Sequence, residues 1–218
     1  MIRLTEITKE AAAFRRRRAL PDAVRSGALQ AILDRRAIFV HVPKCGGKTV
    51  ITNFYGLPQH DWFGHAKPGF YEALLGPSRY RDFFKFVLVR DPVDRCRSGF
   101  HFAQAGGFGT QREQAFGREL SALSFEAFVL DGHLTRWIGR NVVFQPQHPF
   151  VADEDGVLLV DKLYRLERVC ELFTDLGLDA EATSHENRAD YEKRPVPADV
   201  AAAIRDVYRR DYEVLGFD

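Results

Sequence analysis

The 218-residue sequence predicts an α/β protein in which helices flank a central parallel sheet. Residues 38–42 and 83–89 are apolar and β-branched, as in buried strands, and a basic turn and a helical pattern follow each of them. This repeated order favours parallel strands whose carboxyl ends share one edge of the sheet. We therefore expect an α/β domain over residues 37–218, preceded by a basic helical extension over residues 1–36.

The composition is that of a folded protein with no general affinity for nucleic acid. Hydrophobic residues make up 45% of the chain and the formal net charge is only +1. The four consecutive arginines at 15–18 are interpreted as a solvated helix face, with contact to an acidic surface as the alternative. No segment approaches the roughly 20 apolar residues of a membrane span. Because Cys45, Cys96 and Cys170 are widely spaced, we expect a cytoplasmic protein without a disulfide framework or a zinc site.

The first turn has the composition of an anion-binding loop. Two consecutive glycines allow the backbone to turn tightly and to present its N–H groups, and a helix predicted at 49–55 adds the positive end of its dipole. Lysine ammonium groups and a threonine hydroxyl complete an oxyanion cradle. The residues expected to line this loop are Pro43, Lys44, Cys45, Gly46, Gly47, Lys48 and Thr49.

The second turn is also basic. Arg90 follows the strand predicted at 83–89, and Pro92 suits the first turn of a helix predicted at 93–104. On that helix Arg95 and Ser98 are three residues apart and share a face. Two anion sites on one sheet suit a ligand with two separated phosphate groups.

A Walker P-loop is the alternative interpretation of the first turn, because Gly47-Lys48-Thr49 matches the end of GxxxxGK[ST]. The leading glycine of that motif is replaced by Val42, and Pro43 lies where the loop should be flexible. A strand predicted at 156–161 ends in Asp161, a possible magnesium ligand. A P-loop nucleotide kinase or NTPase therefore stays open as a second function.

The remaining chain predicts short elements around these turns. Residues 57–68 form a loop rich in Pro, Gly and His, residues 131–150 are irregular, and His41 is interpreted as a core histidine. Helices are predicted at 69–75, 124–130, 167–176 and 197–215, the last closed by Gly216, and strands at 156–161 and 163–166.

Both turns resemble those of the sulfotransferases that use 3′-phosphoadenosine 5′-phosphosulfate (PAPS). Residues 39–50, FVHVPKCGGKTV, resemble the family's 5′-phosphosulfate-binding loop, whose usual form is close to HIPKTGGTS. Residues 84–102, FKFVLVRDPVDRCRSGFHF, resemble the strand and helix in which an Arg and a Ser eight residues later grip the 3′-phosphate, here Arg90 and Ser98. Weaker similarities extend over residues 37–218 and include His65, Gln145-Pro146-Gln147, Tyr164-Arg165-Leu166-Glu167 and the segment from Tyr208 to Phe217.

The resemblance implies a P-loop-like three-layer fold and transfer of a sulfonate group from PAPS to an acceptor hydroxyl. It is closest in kind to the carbohydrate-directed Golgi sulfotransferases, here in a soluble, bacterial-style form, so a glycan is the expected acceptor. The implied donor-binding residues are those of the loop at 43–49 together with Arg90 and Ser98. Sulfonate transfer requires no metal. A non-catalytic relative that holds a nucleotide or a glycan is the remaining alternative.

The chemistry also suggests roles for individual side chains. Negative charge develops on the bridging oxygen as the phosphate leaves, and Lys44 is the residue expected to stabilise it. His65 is the first candidate for the general base and His60 the second, with Asp61 as a residue that orients or replaces them, although each histidine also suits a structural role. Lys48 stands where relatives carry Thr or Ser, so it either adds a charge near the donor or points to solvent.

Overall fold

Three parallel strands form the sheet at the centre of the molecule. The structure is a computed structural model that describes residues 27–178 and 194–218. The strands are β1 (Ala37–Val40), β2 (Phe84–Val89) and β3 (Lys162–Arg165), arranged in the order β1-β2-β3. The predicted α/β class with a parallel sheet is confirmed.

The helices of the described residues precede, connect and follow these strands. They are α1 (Gly27–Arg35), α2 (Gly47–Tyr55), α3 (Pro68–Leu75), α4 (Pro77–Asp82), α5 (Pro92–Gln104), α6 (Gln111–Leu120), α7 (Phe125–Leu130), α8 (His133–Trp137), α9 (His148–Val151), α10 (Val169–Asp175), α11 (Ala198–Val207) and α12 (Arg209–Leu215). Short 3₁₀ turns lie at Gln59–Asp61, Val142–Phe144 and Leu166–Arg168. Residues 1–26, which include most of the predicted extension, lie outside the described residues. None of the helices described is long and apolar enough to cross a membrane.

Strand β1 lies at one edge of the sheet, and tyrosine side chains cover that edge. All four residues of β1 are buried, as is usual in a parallel sheet with both faces covered. Tyr55 at the end of α2 donates its hydroxyl to the carbonyl of Ala37 at 3.0 Å, and Tyr71 of α3 donates to the carbonyl of Phe39 at 3.1 Å. These carbonyls lack a neighbouring strand, so the hydroxyls satisfy groups that would otherwise be exposed at the edge.

The buried apolar residues form two clusters. One contains the strands with α1 to α3, and the other is an aromatic cluster built around Phe100, Phe128 and Phe144. Tyr208 closes the second cluster because its hydroxyl donates to the carbonyl of Phe144 at 2.7 Å. Full burial of one such aromatic side chain contributes about 1.5–3 kcal/mol. Helix α5 carries residues of the second cluster, and this burial fixes the helix that follows the second turn.

The prediction of a strand at 156–161 is wrong. The segment instead folds back on the end of α9, where Leu158 and Ala152 form an isolated antiparallel bridge. A carboxylate oxygen of Asp153 accepts from the N–H of Val157 at 2.8 Å and holds this tight turn. Val157, Leu158 and Leu159 are exposed and only Val160 of the run is buried, so most of the apolar run that suggested a buried strand is a surface segment. The strand predicted at 163–166 is confirmed as β3.

Four helical features differ from the prediction. Helices α4 and α6 were not predicted, although Thr110 and Glu113 form a capping box at the start of α6. The segment 131–150, predicted to be irregular, contains α8 and α9. The single helix predicted at 197–215 is interrupted at Tyr208, whose backbone leaves the helical conformation, while Gly216 ends the second half as expected.

Candidate anion-binding site

The first turn connects β1 to the first residue of α2. Gly46, at the N-cap of α2, has a left-handed backbone with φ of 76°, and Lys44 is also left-handed at 65°. A left-handed conformation is uncommon for a residue with a side chain. Two such residues within three positions reverse the chain tightly, and the first turn of α2 follows at once, its Thr49 N–H bonded to the Gly46 carbonyl at 3.1 Å.

Close packing requires the glycine at 47, and a left-handed backbone favours the glycine at 46. A Cβ on Gly47 would lie 2.1 Å from the ring of His41, and a Cβ on Gly46 would lie 2.8 Å from the side chain of Leu166, which follows β3. The loop therefore lies directly on His41 and on the end of the sheet. A side chain at position 47 would force the loop or the His41 ring to shift.

The second turn begins where β2 ends. Asp91 caps helix α5, because its carboxylate accepts from the N–H of Asp94 at 3.0 Å, and Pro92 occupies the first turn as predicted. The Arg90 side chain is only 11% exposed and lies 3.9 Å from the carboxylate of Asp94. Asp94 pairs more closely with Arg97, at 2.6 Å. Asp94 is therefore shared by two arginines, and its closer partner is Arg97.

The two turns are neighbours because β1 and β2 pair in parallel register, with Val40 opposite Val87. Gln147 joins them: its side-chain oxygen accepts from the Arg90 N–H at 3.0 Å and from the Cys45 thiol at 3.2 Å. Its amide nitrogen donates to the carbonyl of Arg90 at 2.8 Å. A single buried carboxamide therefore contacts both turns.

Lys44 and Arg90 supply the positive charge of this site. Burial, followed by the nearby charge of Arg90, lowers the pKa of Lys44 to about 8. The ammonium group lies 4.1 Å from the centre of the Phe102 ring, and no carboxylate in residues 27–178 or 194–218 pairs with it. Lys44 is thus mostly protonated at neutral pH and faces an aromatic ring, so an added anion would not have to displace a carboxylate from it.

His65 lies against the end of β1. Its Nδ1 is 3.0 Å from the carbonyl oxygen of His41, and the two imidazole rings are 4.4 Å apart. A carbonyl oxygen only accepts, so Nδ1 carries the hydrogen and Nε2 keeps a lone pair. Burial, together with the charges of Arg95 and Lys44, lowers the pKa of His65 below its usual 6.5. At neutral pH the ring is therefore neutral and able to accept a proton.

The other histidines of this region are placed differently. His60 has a side chain that is 82% exposed and lies 3.4 Å from the Asp61 carboxylate in a 3₁₀ turn. His41 is buried, as interpreted from the sequence, and burial lowers its pKa to about 3. Its Nδ1 has no hydrogen-bond partner among the residues that the structure describes. Of the two candidate bases, the structure brings His65 to the first turn and leaves His60 at the surface.

The remaining predicted binding residues lie in the turns and their helices. Cys45 is buried, and burial raises the pKa of its thiol to about 12, so it remains a neutral S–H donor. Lys48 and Ser98 are half-buried, in the first turn of α2 and on α5, and Thr49 is buried. Pro43 is also buried and offers its carbonyl to Arg95 at 3.4 Å. Their contacts with a ligand stay a prediction.

Three residues beneath the turns have a role that the sequence interpretation did not give them. Arg95 was expected on the anion-binding face with Ser98, but it donates to the backbone carbonyls of Pro43, Val143 and Gln145 instead. Gln147 and Asp211 appeared only among the weaker similarities. Arg95, Gln147 and Asp211 are all fully buried, and Asp211 accepts the N–H of Gln147 at 2.8 Å. Asp211 lies three residues after Tyr208 and four before Leu215, so it is an acid on the apolar face of a helical pattern. An acidic residue at such a position indicates a buried carboxylate that must accept hydrogen bonds.

The chain matches no protein-family model, no curated protein and no solved structure. The fold and the geometry of the two turns are therefore the observations from which its function has to be inferred.

Proposed function

We propose that the protein is a sulfotransferase that uses PAPS as donor and an acceptor hydroxyl, with a carbohydrate as the expected acceptor. The observation that supports this proposal is the pairing of two basic strand-to-helix turns on adjacent parallel strands, linked by Gln147. One turn suits the 5′-phosphosulfate and the other the 3′-phosphate of a single nucleotide. A P-loop-like three-layer fold belongs to the same proposal.

In this proposal the donor is held by the loop at 43–49 and by Arg90 and Ser98. It supplies the sulfonate group and an anionic leaving group. The N–H groups at the start of α2 and the Lys44 ammonium lie at the carboxyl edge of the sheet, where negative charge would develop. A fixed cation there stabilises the transition state more than the ground state, because the charge on the bridging oxygen grows as the S–O bond breaks.

The acceptor hydroxyl must lose its proton as its oxygen bonds to sulfur. His65 suits this step because the bond of its Nδ1 to the His41 carbonyl leaves Nε2 free to take that proton. The S–O bond to the bridging oxygen breaks as the new bond forms, so no oxidant, reductant or metal enters the balance.

The kinase alternative loses its candidate magnesium ligand. Asp161 pairs with Lys85 at 3.0 Å and receives the Lys85 N–H at 2.7 Å. Lys85 is the second residue of β2, so Asp161 lies at the amino end of the strands. Both glycine-containing and arginine-containing turns lie at the opposite, carboxyl end, too far for one cation to bridge a loop-bound triphosphate and this carboxylate.

A cytoplasmic location is part of the proposal. Its support is that Cys45, Cys96 and Cys170 are all free, as in proteins kept under reducing conditions.

Isothermal titration tests the donor site. We expect the protein to bind adenosine 3′,5′-bisphosphate and to show no magnesium-dependent binding of ATP. The variants Arg90→Ala and Ser98→Ala should weaken the binding of adenosine 3′,5′-bisphosphate more than the binding of adenosine 5′-monophosphate. The reason is that they remove contacts to the 3′-phosphate alone. Tight ATP binding that requires magnesium, or an equal loss for both adenosine nucleotides, would contradict the proposal.

Transfer is tested with PAPS labelled in its sulfonate group and a panel of glycans, small alcohols and phenols. Label should appear on at least one hydroxyl acceptor, most rapidly on a glycan. Nucleotide binding without transfer to any member of the panel would instead support the non-catalytic relative.

A further inference from the structure

We infer that Gln147, held by Asp211, is a positioning residue that sets the spacing between the two turns and thereby the preference for a ligand with two separate phosphate groups. This inference rests on the proposed function, because it concerns the same nucleotide site. Neither residue is needed to touch the ligand.

The contacts of Gln147 need a carboxamide. Its Nε2 donates to the Arg90 carbonyl at 2.8 Å, while its Oε1 accepts from the Arg90 N–H at 3.0 Å. The same oxygen accepts from the Cys45 thiol at 3.2 Å. A carboxylate cannot donate, and a thioether cannot donate and accepts only weakly, so glutamine suits this position in a way that glutamate and methionine do not. The side chain is completely buried, so water does not substitute for these bonds.

Asp211 fixes the backbone that carries Gln147. This residue of α12 is completely buried, and its Oδ2 accepts from the Gln147 N–H at 2.8 Å. Its Oδ1 accepts from the backbone N–H of His148 at 2.8 Å and lies 2.7 Å from His148 Nδ1. Bonds to an ionised carboxylate are stronger than those between neutral groups. The last helix of the chain therefore holds in place the side chain of Gln147, which bridges the two turns and is called the bridge below.

The bridge acts on both cations of the site. It holds the backbone of Arg90 directly, and it holds Cys45, the neighbour of Lys44, through the thiol. A ligand that spans both turns gains from each only if their separation matches its own, since a displacement of about 1 Å weakens positioned contacts strongly. A ligand with one phosphate needs only one turn. The bridge should therefore matter for the bisphosphate and little for the monophosphate.

The test measures a ratio, the Kd of adenosine 5′-monophosphate divided by the Kd of adenosine 3′,5′-bisphosphate, by titration calorimetry on the full chain. We expect Gln147→Met, which is neutral and similar in length, to lower the ratio at least tenfold. Gln104→Met is the matched control, because Gln104 of α5 is half-buried and bonds the Leu120 carbonyl away from the turns. The ratio of that variant should equal that of the wild type.

Asp211→Asn is the second variant, and it separates positioning from simple electrostatics. Removing a negative charge near the site would by itself tighten anion binding, whereas a loosened bridge lowers the ratio. Melting curves accompany both variants, because a role in stability alone would lower the melting temperature and leave the ratio of the folded protein unchanged. If Gln147→Met does not fold, Asp211→Asn and the milder Cys45→Ala decide the question.

The two possible failures are distinguishable. A wild-type protein that binds both nucleotides equally would refute the proposed function and the inference with it. A wild-type preference for the bisphosphate that persists in the folded Gln147 or Asp211 variants would overturn the inference alone.

Discussion

The ammonium group of Lys44 lies 4.1 Å from the centre of the Phe102 ring, on the face of the helix that follows the second turn. The lysine of one turn thus packs on the helix of the other. An aromatic face attracts a cation more weakly than a carboxylate does when both are buried. The contact holds Lys44 near the site without neutralising its charge, which is the arrangement required of a residue that stabilises a leaving phosphate.

Replacing Lys44 by alanine should lower kcat by about 10²–10³-fold, the usual effect of removing one group that stabilises developing charge. Binding of adenosine 3′,5′-bisphosphate should persist and be measurable by calorimetry, because the glycine N–H groups and Arg90 remain. Lys48→Ala is the control, since it removes a lysine four residues later. Unchanged turnover in Lys44→Ala, or a larger loss in Lys48→Ala, would show that the wrong lysine has been assigned.

The value of kcat/KM should decrease on the alkaline side of its pH profile, with a midpoint at about pH 8. Burial and Arg90 lower the pKa of Lys44 to about 8, so the free enzyme carries the protonated lysine below that pH and loses it as the pH rises. If PAPS is the donor, as we propose, its negative charge raises the pKa of Lys44, so the same limb should move to higher pH in kcat. An alkaline limb that is identical in Lys44→Ala would refute this assignment.

His65→Asn should lower kcat by about 10²–10⁴-fold, the usual contribution of a general base. In the wild type, activity should fall on the acid side as the pH drops through a value below 6.5, because burial lowers the pKa of His65 and the neutral ring is the active form. The control is His60→Asn, whose side chain is 82% exposed. A larger loss in His60→Asn than in His65→Asn would reverse the assignment.

Features encoded by neighbouring residues were predictable from the sequence. The two buried strands, the glycine turn, the Asp-Pro start of α5 and the end at Gly216 each depend on local propensity, and the structure contains all of them. The run at 156–161 shows the limit of the same reasoning. Its apolar residues suggested a buried strand, but the backbone of Asp161 bonds Lys85 at the amino end of β2 and the preceding residues turn outward.

The contacts by which Gln147 and Asp211 hold the two turns were not predictable in this way. Gln147 bonds Arg90 across 57 positions and Asp211 across 64, and such contacts depend on how the helices pack. A glutamine in an irregular segment has no periodicity that shows whether it faces solvent or a backbone. Asp211 was the better signal, because an acid on an apolar helix face must find donors when it is buried.

Gly47→Ala should destabilise the protein by roughly 1–3 kcal/mol, the usual cost of overpacking a well-packed region. The added methyl group would lie 2.1 Å from the His41 ring, so the loop or the ring has to shift. Urea unfolding measures the effect. The matched control is Gly139→Ala, because nothing lies within 4 Å of a Cβ at Gly139. Equal stability of the two variants would contradict the close approach of the loop to His41.

Arg95→Met should destabilise the fold by about 3 kcal/mol, because buried carbonyls that lose their donor keep the full penalty of desolvation. Arg95 is completely buried on α5 and donates to the carbonyls of Pro43 at 3.4 Å and Val143 at 3.1 Å, and also to that of Gln145. No carboxylate of the described residues pairs with its guanidinium group. The charge is therefore bound by backbone oxygens and lies 5.5 Å from the centre of the Tyr208 ring, and methionine offers none of those donors.

Arg95→Lys should lose less stability than Arg95→Met, because an ammonium group keeps the charge and can still donate to some of these carbonyls. Urea unfolding of both variants is compared with that of Arg81→Met, whose side chain is 77% exposed on α4 and whose stability should match the wild type. Since Arg95 holds the carbonyl of Pro43, its loss should also free the first turn and speed amide exchange of Gly46 and Gly47. If the Arg95→Met variant were as stable against urea as the Arg81→Met variant, the buried arginine would support neither the core nor the loop.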